Sequence, residues 1–258
     1  MAQNNDSIGK TFTVIGGLCL VCSILVSGAA VGLRPLQDAA KARDRQVNIL
    51  TVAGLPTDSI AKTYQQRIEA RLVDLDSGRF VEVKEADSYD LRRAAKDPAT
   101  SVALTPEEDV AGIRRRAKLA PVYLSRDEQG QVQSVILPIY GQGLWSTMYA
   151  FIAIATDGNT VQGITYYDHG ETPGLGGEVE NPRWQALWKG KELYDEDGQM
   201  ALTIIKGHAE ASDHFKVDGL SGATLTSKGV QHTISFWMGP KGYGPFLSEL
   251  RKGVLSHG

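Results

Sequence analysis

Residues 132–167 read VQSVILPIYGQGLWSTMYAFIAIATDGNTVQGITYY, and this stretch decides the class of fold. β-Branched and aromatic residues are concentrated in the runs 132–140, 149–155 and 161–167, and a polar turn at 157–159 precedes the last run. Short runs of this composition, separated by turn residues, are typical of strands joined as hairpins. The stretch therefore predicts an antiparallel β-sheet.

The segments on either side of this stretch predict further elements. Residues 122–124 and 201–206 have the composition of strands. Residues 224–238 place apolar side chains at helical spacing, and the Gly-Pro pair at 239–240 would end that helix.

Another helix is predicted at 106–117. Thr105 can cap its first turn, proline follows at the first helical position, and Glu108 completes a capping-box pattern. The arginines at 114–116 would lie at the C-terminal end, where the helix dipole favours cations. Together with the strands, these helices predict an α+β domain with an antiparallel or mixed sheet and flanking helices.

The composition is that of an ordinary globular protein. The chain has 258 residues, of which 42% are hydrophobic and 22% charged, and this fits one or two domains. Its 27 Lys and Arg against 30 Asp and Glu give a net charge of -3. Because binding to phosphate backbones requires a basic excess, we expect no nucleic-acid partner. The sequence also lacks the P-loop, dinucleotide-binding and G-x-S-x-G patterns, and its histidines have no metal-ligand spacing.

The N-terminal part departs from this average, because residues 11–33 carry no charge and most of them are apolar. A helix over 12–33, at about 1.5 Å per residue, is long enough to cross a hydrocarbon layer of about 30 Å. The run is longer than the apolar core of a cleaved signal peptide, which is the alternative. We expect a tail at 1–11, a transmembrane anchor at 12–33 and a folded domain at 34–258, with a helical extension over 35–52.

The orientation and packing of the span stay open at this point. Basic residues after it outnumber Lys10 before it, which favours a cytoplasmic domain, yet long domains can be translocated regardless of flanking charge. The small residues in the span either pack against partner helices or reflect the usual composition of such helices. Cys19 and Cys22 are small apolar residues of the span or, alternatively, ligands of an iron–sulfur centre shared with another subunit. No cysteine follows them, which excludes a disulfide framework from 34–258.

Two glycine-containing segments are candidate ligand sites. Residues 170–178 read GETPGLGGE after a predicted strand, and they suit either close approach to a ligand or a tight loop with positive φ angles. Residues 218–227 read DGLSGATLTS between a strand and a helix. The helix N-terminus would stabilise a bound phosphate, or the hydroxyl side chains simply cap the helix.

The run DGLSGAT at 218–224 matches a flavinylation motif in which the final threonine is joined through its hydroxyl to the phosphate of FMN. The N-terminal span, the segments 72–75, 103–110 and 143–146, and the loop 170–178 extend the likeness along almost the whole chain. The sequence is similar to the C subunit of the sodium-translocating NADH:quinone oxidoreductase. The joint occurrence of these features is far more specific than any one of them.

This resemblance implies FMN held covalently by Thr224, attached by a dedicated FMN transferase that uses FAD. The candidate cofactor-binding residues are Thr224, Ser221, Gly222, Ala223, Asp218, Leu225, Thr226, Glu171, Thr172, Leu175, Gly176, Trp145 and Lys206. Residues 221–223 would shape the turn that exposes the acceptor hydroxyl, and Asp218 would serve recognition by the transferase. The residues of 171–176 and Trp145 would line the ring or ribityl chain, with a core position as the alternative for Trp145. Lys206 would meet the phosphate or else be a solvated lysine.

The resemblance further implies an electron-carrier subunit that is not active alone. It would work with the other subunits of a bacterial inner-membrane complex that passes electrons from NADH to ubiquinone and exports Na+. The chain would cross the membrane once, with its flavin domain on the periplasmic side. We expect no metal site in this chain, since its histidines lack metal-ligand spacing. Two alternatives remain. One is the G subunit of the related ferredoxin-linked Rnf complex, and the other is a cofactor-free assembly subunit with purely structural glycine loops.

Overall fold

The structure is a computed structural model that describes residues 8–83, 86–210 and 212–253. It divides into two compact units, one up to Arg45 and one from Gln46 onwards. The helices are α1 (Ile8–Val52), α2 (Ile60–Arg67), α3 (Leu91–Lys96), α4 (Pro182–Ala186), α5 (Thr224–Trp237) and α6 (Gly244–Arg251). The strands are β1 (Ile68–Asp74), β2 (Arg79–Val81), β3 (Ser101–Ala103), β4 (Arg115–Ala117), β5 (Leu119–Arg126), β6 (Val132–Gln142), β7 (Thr147–Ala155), β8 (Val161–Asp168), β9 (Thr203–Ile205) and β10 (Lys216–Asp218).

The described part of the first unit is α1 up to Arg45. Its most apolar 18-residue window has a mean hydropathy of 2.4 and is fully exposed, so α1 is long and apolar enough to cross a membrane. The extension over 35–52 is confirmed as helical, with Pro35 inside α1. The boundaries at 11/12 and 33/34 stay predictions, and residues 1–7 of the predicted tail lie outside the described residues.

A six-stranded sheet forms the centre of the second unit. The strand order is β2-β1-β5-β6-β7-β8, and each neighbouring pair is antiparallel. The runs predicted at 122–124, 132–140, 149–155 and 161–167 lie in β5, β6, β7 and β8. The predicted α+β class with an antiparallel sheet and flanking helices is therefore confirmed.

Helices cover both faces of this sheet. Alternate side chains of β6 enter different cores, since Ile136 belongs to one and Val135 to the other, as the two-residue period of a strand requires. The smaller core contains Ile49 from the end of α1 and residues of α2. The larger core contains Ile234 of α5 and Phe246 of α6. The predicted helix at 224–238 is thus present as α5, and its apolar face packs on the sheet.

Two prolines interrupt the ladder between β5 and β6. The paired register ends at Tyr123 and Ile136, beyond which Pro121 and Pro138 have no N–H to donate. The buried hydroxyl of Tyr243 lies 3.1 Å from the Pro121 carbonyl and 3.2 Å from the Pro138 carbonyl. A side chain from the segment before α6 therefore takes the place of a strand-to-strand hydrogen bond.

The prediction of a helix at 106–117 is wrong. Its capping box forms, since the Thr105 N–H donates to Glu108 Oε2 at 3.1 Å and the Glu108 N–H to Thr105 Oγ1 at 3.4 Å. The helix does not continue, because the Asp109 carboxylate accepts the N–H groups of residues 113 and 114, both at 2.7 Å. Arg114 then has a φ of 63°, which a right-handed helix cannot contain.

The arginines of this segment are not a solvated helix end. β4 pairs with β3 in an antiparallel ribbon, and Arg116 is buried with its Nη2 2.5 Å from Asp76 Oδ1. Arg115 donates from Nε to Ser101 Oγ at 2.9 Å. Both side chains therefore bind protein groups.

A small parallel pair, β9 and β10, leads into the candidate acceptor segment. The strand predicted at 201–206 is present as the shorter β9, whereas the sequence pattern does not predict β10. Ile205 pairs with Asp218 at the end of both strands. Because the carboxyl ends of parallel strands meet at one edge, the residues that follow each strand lie side by side.

Candidate functional site

The acceptor segment is a tight turn between β10 and α5. Gly222 has a φ of 71°, a left-handed conformation that favours glycine. The Ser227 hydroxyl accepts the Leu220 N–H at 2.9 Å and donates to the Ala223 carbonyl at 3.1 Å. Ser227, which the sequence does not single out as a site residue, therefore closes the turn from inside the helix.

The two threonines of the motif have opposite environments. Thr224 is the first residue of α5 and is exposed, and its hydroxyl has no hydrogen-bond partner among the described residues. Thr226 is only 1% exposed, and its hydroxyl donates to Glu171 Oε2 at 2.6 Å. Of the two hydroxyls, only that of Thr224 is free to react.

Glu171 joins three segments through one buried carboxylate. Besides the Thr226 hydroxyl, it accepts the backbone N–H groups of Leu144, Trp145 and Ser146 at 3.3, 2.9 and 3.3 Å. Burial raises the pKa of Glu171, but the Thr226 hydroxyl and these N–H groups outweigh it and hold the pKa below its ordinary value. Glu171 is therefore ionised and acts as a fixed acceptor between the turn 143–146 and α5.

Glycines make room for this carboxylate. A Cβ on Gly143 would lie 2.5 Å from Glu171 Oε1, and a Cβ on Gly176 would lie 2.8 Å from Glu171 Oε2 and 2.5 Å from Thr226 Oγ1. Within the loop 170–178 only Gly174 has a positive φ. The glycine pattern therefore serves mainly the close approach of protein groups.

The backbone of α5 touches the same turn directly. A Cβ on Gly229 would lie 2.5 Å from the Gln142 carbonyl oxygen and 3.1 Å from Gly143 Cα. No side chain separates the helix that begins at Thr224 from the turn that carries Trp145.

Four large apolar side chains are exposed in the three segments that Glu171 joins. They come from the turn 143–146, from the loop 170–178 and from α5, and they are Leu144, Trp145, Leu175 and Leu225. Trp145 is 68% exposed, so the alternative that it is a core residue is wrong. Leu175 approaches the acceptor turn, since its Cδ2 would be 3.1 Å from a Cβ on Gly222. This apolar rim (Leu144, Trp145, Leu175 and Leu225) suits contact with a flat, largely apolar ring system.

Asp218 holds the segment that follows β9. Its carboxylate accepts the Ala209 N–H at 2.7 Å and lies 2.6 Å from Nδ1 of the exposed His208. Burial raises the pKa of Asp218, but the Ala209 N–H and the His208 ring outweigh it and hold the pKa below its usual range. Lys206 is exposed one residue after β9, at the same edge as the acceptor turn.

The remaining predicted residues also lie in these segments. Thr172 is exposed and its carbonyl accepts the N–H groups of Leu175 and Gly177 at 3.1 and 2.9 Å. Ser221 is exposed in the acceptor turn, and Ala223 is the N-cap residue without a side-chain cap. Sequence reasoning missed Ser146, whose hydroxyl accepts the Gly170 N–H at 2.5 Å. The turn and the loop each have a recognisable pattern, but nothing local in either predicts that they bond to each other.

Comparisons with known proteins agree with this geometry. Residues 143–239 match the model of a family described as FMN-binding domain. The match contains the turn 143–146, the loop 170–178 and the acceptor segment 218–227, which are the segments that form the site.

Relatives extend the match beyond this domain. The C subunit of the Na(+)-translocating NADH-quinone reductase of Yersinia pestis is 56% identical over 99% of this chain and 98% of its own length. The same subunit from Vibrio alginolyticus is 58% identical over 99% of this chain and 100% of its own length. The crystal structure of Shewanella oneidensis NqrC has a TM-score of 0.79 at 38% identity, over 83% of this chain and 100% of that one. This chain belongs to the family of the C subunit of the Na(+)-translocating NADH-quinone reductase.

Proposed function

We propose that this chain is the FMN-carrying subunit of a Na+-translocating NADH:ubiquinone reductase, with FMN joined as a phosphoester to Thr224. The observation that carries the proposal is the free, exposed hydroxyl of Thr224 beside the apolar rim. Relatives at 56% and 58% identity are named for this reductase, which favours it over the ferredoxin-linked complex. The match to an FMN-binding domain favours it over a cofactor-free assembly subunit.

The site has a part suited to each part of FMN. The phosphate would lie at the N-terminus of α5, where free N–H groups and the helix dipole stabilise negative charge. Lys206 is an exposed cation one residue after β9, at that edge. The isoalloxazine ring would contact the apolar rim. Thr172 and Gly176, which flank Leu175 in the loop 170–178, would line the ring or the ribityl chain. FMN supplies the electron-transfer chemistry, and the residues of this chain hold and orient it.

The proposed attachment at Thr224 is a transfer of the FMN phosphoryl group from FAD. The Thr224 oxygen forms a bond to the FMN phosphorus, the pyrophosphate bond of FAD breaks, AMP leaves, and the hydroxyl proton is lost. A transferase would catalyse this step, and Asp218 would serve it by holding the residues after β9 next to the acceptor turn.

The attachment can be measured by mass spectrometry. In protein produced together with the transferase, we expect the peptide that contains Thr224 to gain the mass of one FMN less one water, with fragment ions assigning it to that residue. Protein produced without the transferase is the control and should carry no added mass. An unmodified Thr224 peptide in active complex would contradict the proposal.

Single-pass anchoring by α1 would keep the flavin domain near the redox centres of the other subunits and raise their effective concentration. We place this domain on the periplasmic side of the inner membrane, as the family resemblance implies. The basic residues after the span do not oppose this, because domains of this length can be translocated despite basic flanks. We expect alkaline phosphatase fused after the last residue to be active in cells, since its disulfides form in the periplasm. Activity of a cytoplasmic reporter at the same position, with a silent phosphatase, would reverse the orientation.

A further inference from the structure

His169 lies between β8 and the loop 170–178, and its side chain is only 8% exposed. Its Nδ1 accepts the backbone N–H of Glu171 at 3.1 Å. Its Nε2 lies 3.1 Å from Glu180 Oε1. The side chain thus contacts Glu171 near the start of the loop and Glu180, two residues after its end.

The protonation state of the ring follows from these contacts. A backbone N–H can only donate, so Nδ1 must be the unprotonated nitrogen of a neutral imidazole. The ring proton is then on Nε2, which lies 3.1 Å from Glu180 Oε1 but makes no hydrogen bond in the described part of the chain. A proton on Nδ1 would place two donors against each other and break the bond to Glu171.

The hydrogen bond from Glu171 to His169 orients a residue on which the whole site depends. The Glu171 carboxylate binds the N–H groups of the turn 143–146 and the hydroxyl of Thr226. Its backbone is held on one side by the neutral imidazole. A change at His169 therefore reaches the turn 143–146 and the first turn of α5 through Glu171.

We propose that His169 is a positioning residue of the flavin site, which holds the Glu171 backbone through its Nδ1. This inference rests on the proposed function for its link to FMN. The contacts themselves belong to the chain alone and can be tested without the cofactor.

Two amide substitutions at His169 test the two ring nitrogens separately. Asparagine places its side-chain oxygen at the position of Nδ1 and cannot take up a proton, whereas glutamine places its oxygen near Nε2. In the full-length chain in detergent, produced without the transferase, amide hydrogen exchange would be followed over 143–146 and 170–177. We expect His169→Gln to exchange about tenfold faster than wild type, the equivalent of one lost buried hydrogen bond, and His169→Asn to match wild type.

Recovery by the conservative variant separates positioning from simple packing, because asparagine is smaller than histidine but keeps an acceptor at the position of Nδ1. Equal exchange in all three proteins, or His169→Asn exchanging as fast as His169→Gln, would overturn the inference. An unmodified Thr224 peptide in the mature complex would instead overturn the proposed function and leave the exchange result standing.

Discussion

Thr224→Val should give a folded protein without covalent FMN and a complex without electron transfer through this subunit. Valine has nearly the shape of threonine but no hydroxyl, so the phosphoester has no oxygen from which to form. Thr224 is exposed and makes no side-chain hydrogen bond that the structure describes, so the free energy of unfolding should change little. A denaturing gel under ultraviolet light measures the outcome, since wild type should fluoresce and the variant should be dark.

Thr226→Val is the matched control, because the same chemical change falls two residues away. Its band should still fluoresce, since the Thr226 hydroxyl is buried and already donates to Glu171. Its free energy of unfolding should drop by about 1–2 kcal/mol, because a buried charged acceptor loses one donor. A dark Thr226→Val band with a fluorescent Thr224→Val band would move the attachment site to Thr226.

Glu171→Gln should lower the free energy of unfolding by about 2–3 kcal/mol while leaving the Thr224 hydroxyl in place. The amide keeps one acceptor oxygen, but its NH2 group faces backbone N–H donors that the carboxylate satisfied, and charge-assisted hydrogen bonds are the stronger kind. Urea unfolding of the full-length protein in detergent measures the change.

The stability of wild type relative to Glu171→Gln should also depend on pH in a defined direction. The pKa of Glu171 in the folded protein lies below its ordinary value of 4.5, so its contribution is present above that value and is lost as the pH falls through the folded pKa. The difference between the two proteins should therefore be constant above pH 4.5 and shrink in more acidic solution. A difference that grows on acidification would show that the carboxylate is destabilising when ionised.

Local patterns predict much of the fold correctly. The strands of the stretch 132–167 follow from runs of β-branched and aromatic residues between turns, and the apolar face of α5 follows from its helical spacing. Neither depends on distant residues. The prediction of a helix at 106–117 fails because Asp109 offers its carboxylate to the backbone ahead of it, and this local hydrogen bond competes with helix propagation.

The candidate site is predictable only in its parts. Residues 218–224 and 170–178 stand out by their own patterns, but the role of Glu171 does not. Its donors come from residues 25 to 27 positions earlier and from Thr226, 55 positions later. A contact of this kind depends on the register of the sheet and the placement of α5. The role of His169 is hidden for the same reason, since a single histidine has no pattern.

The contact between Gly229 and the Gln142 carbonyl sets a length as well as a packing. Through main-chain atoms it fixes the interval between the Thr224 backbone on α5 and the backbone of the turn 143–146. In the proposed holoprotein, this interval would set how far the backbone that carries the phosphate lies from the backbone that carries Trp145. Side chains of the rim could vary without altering it.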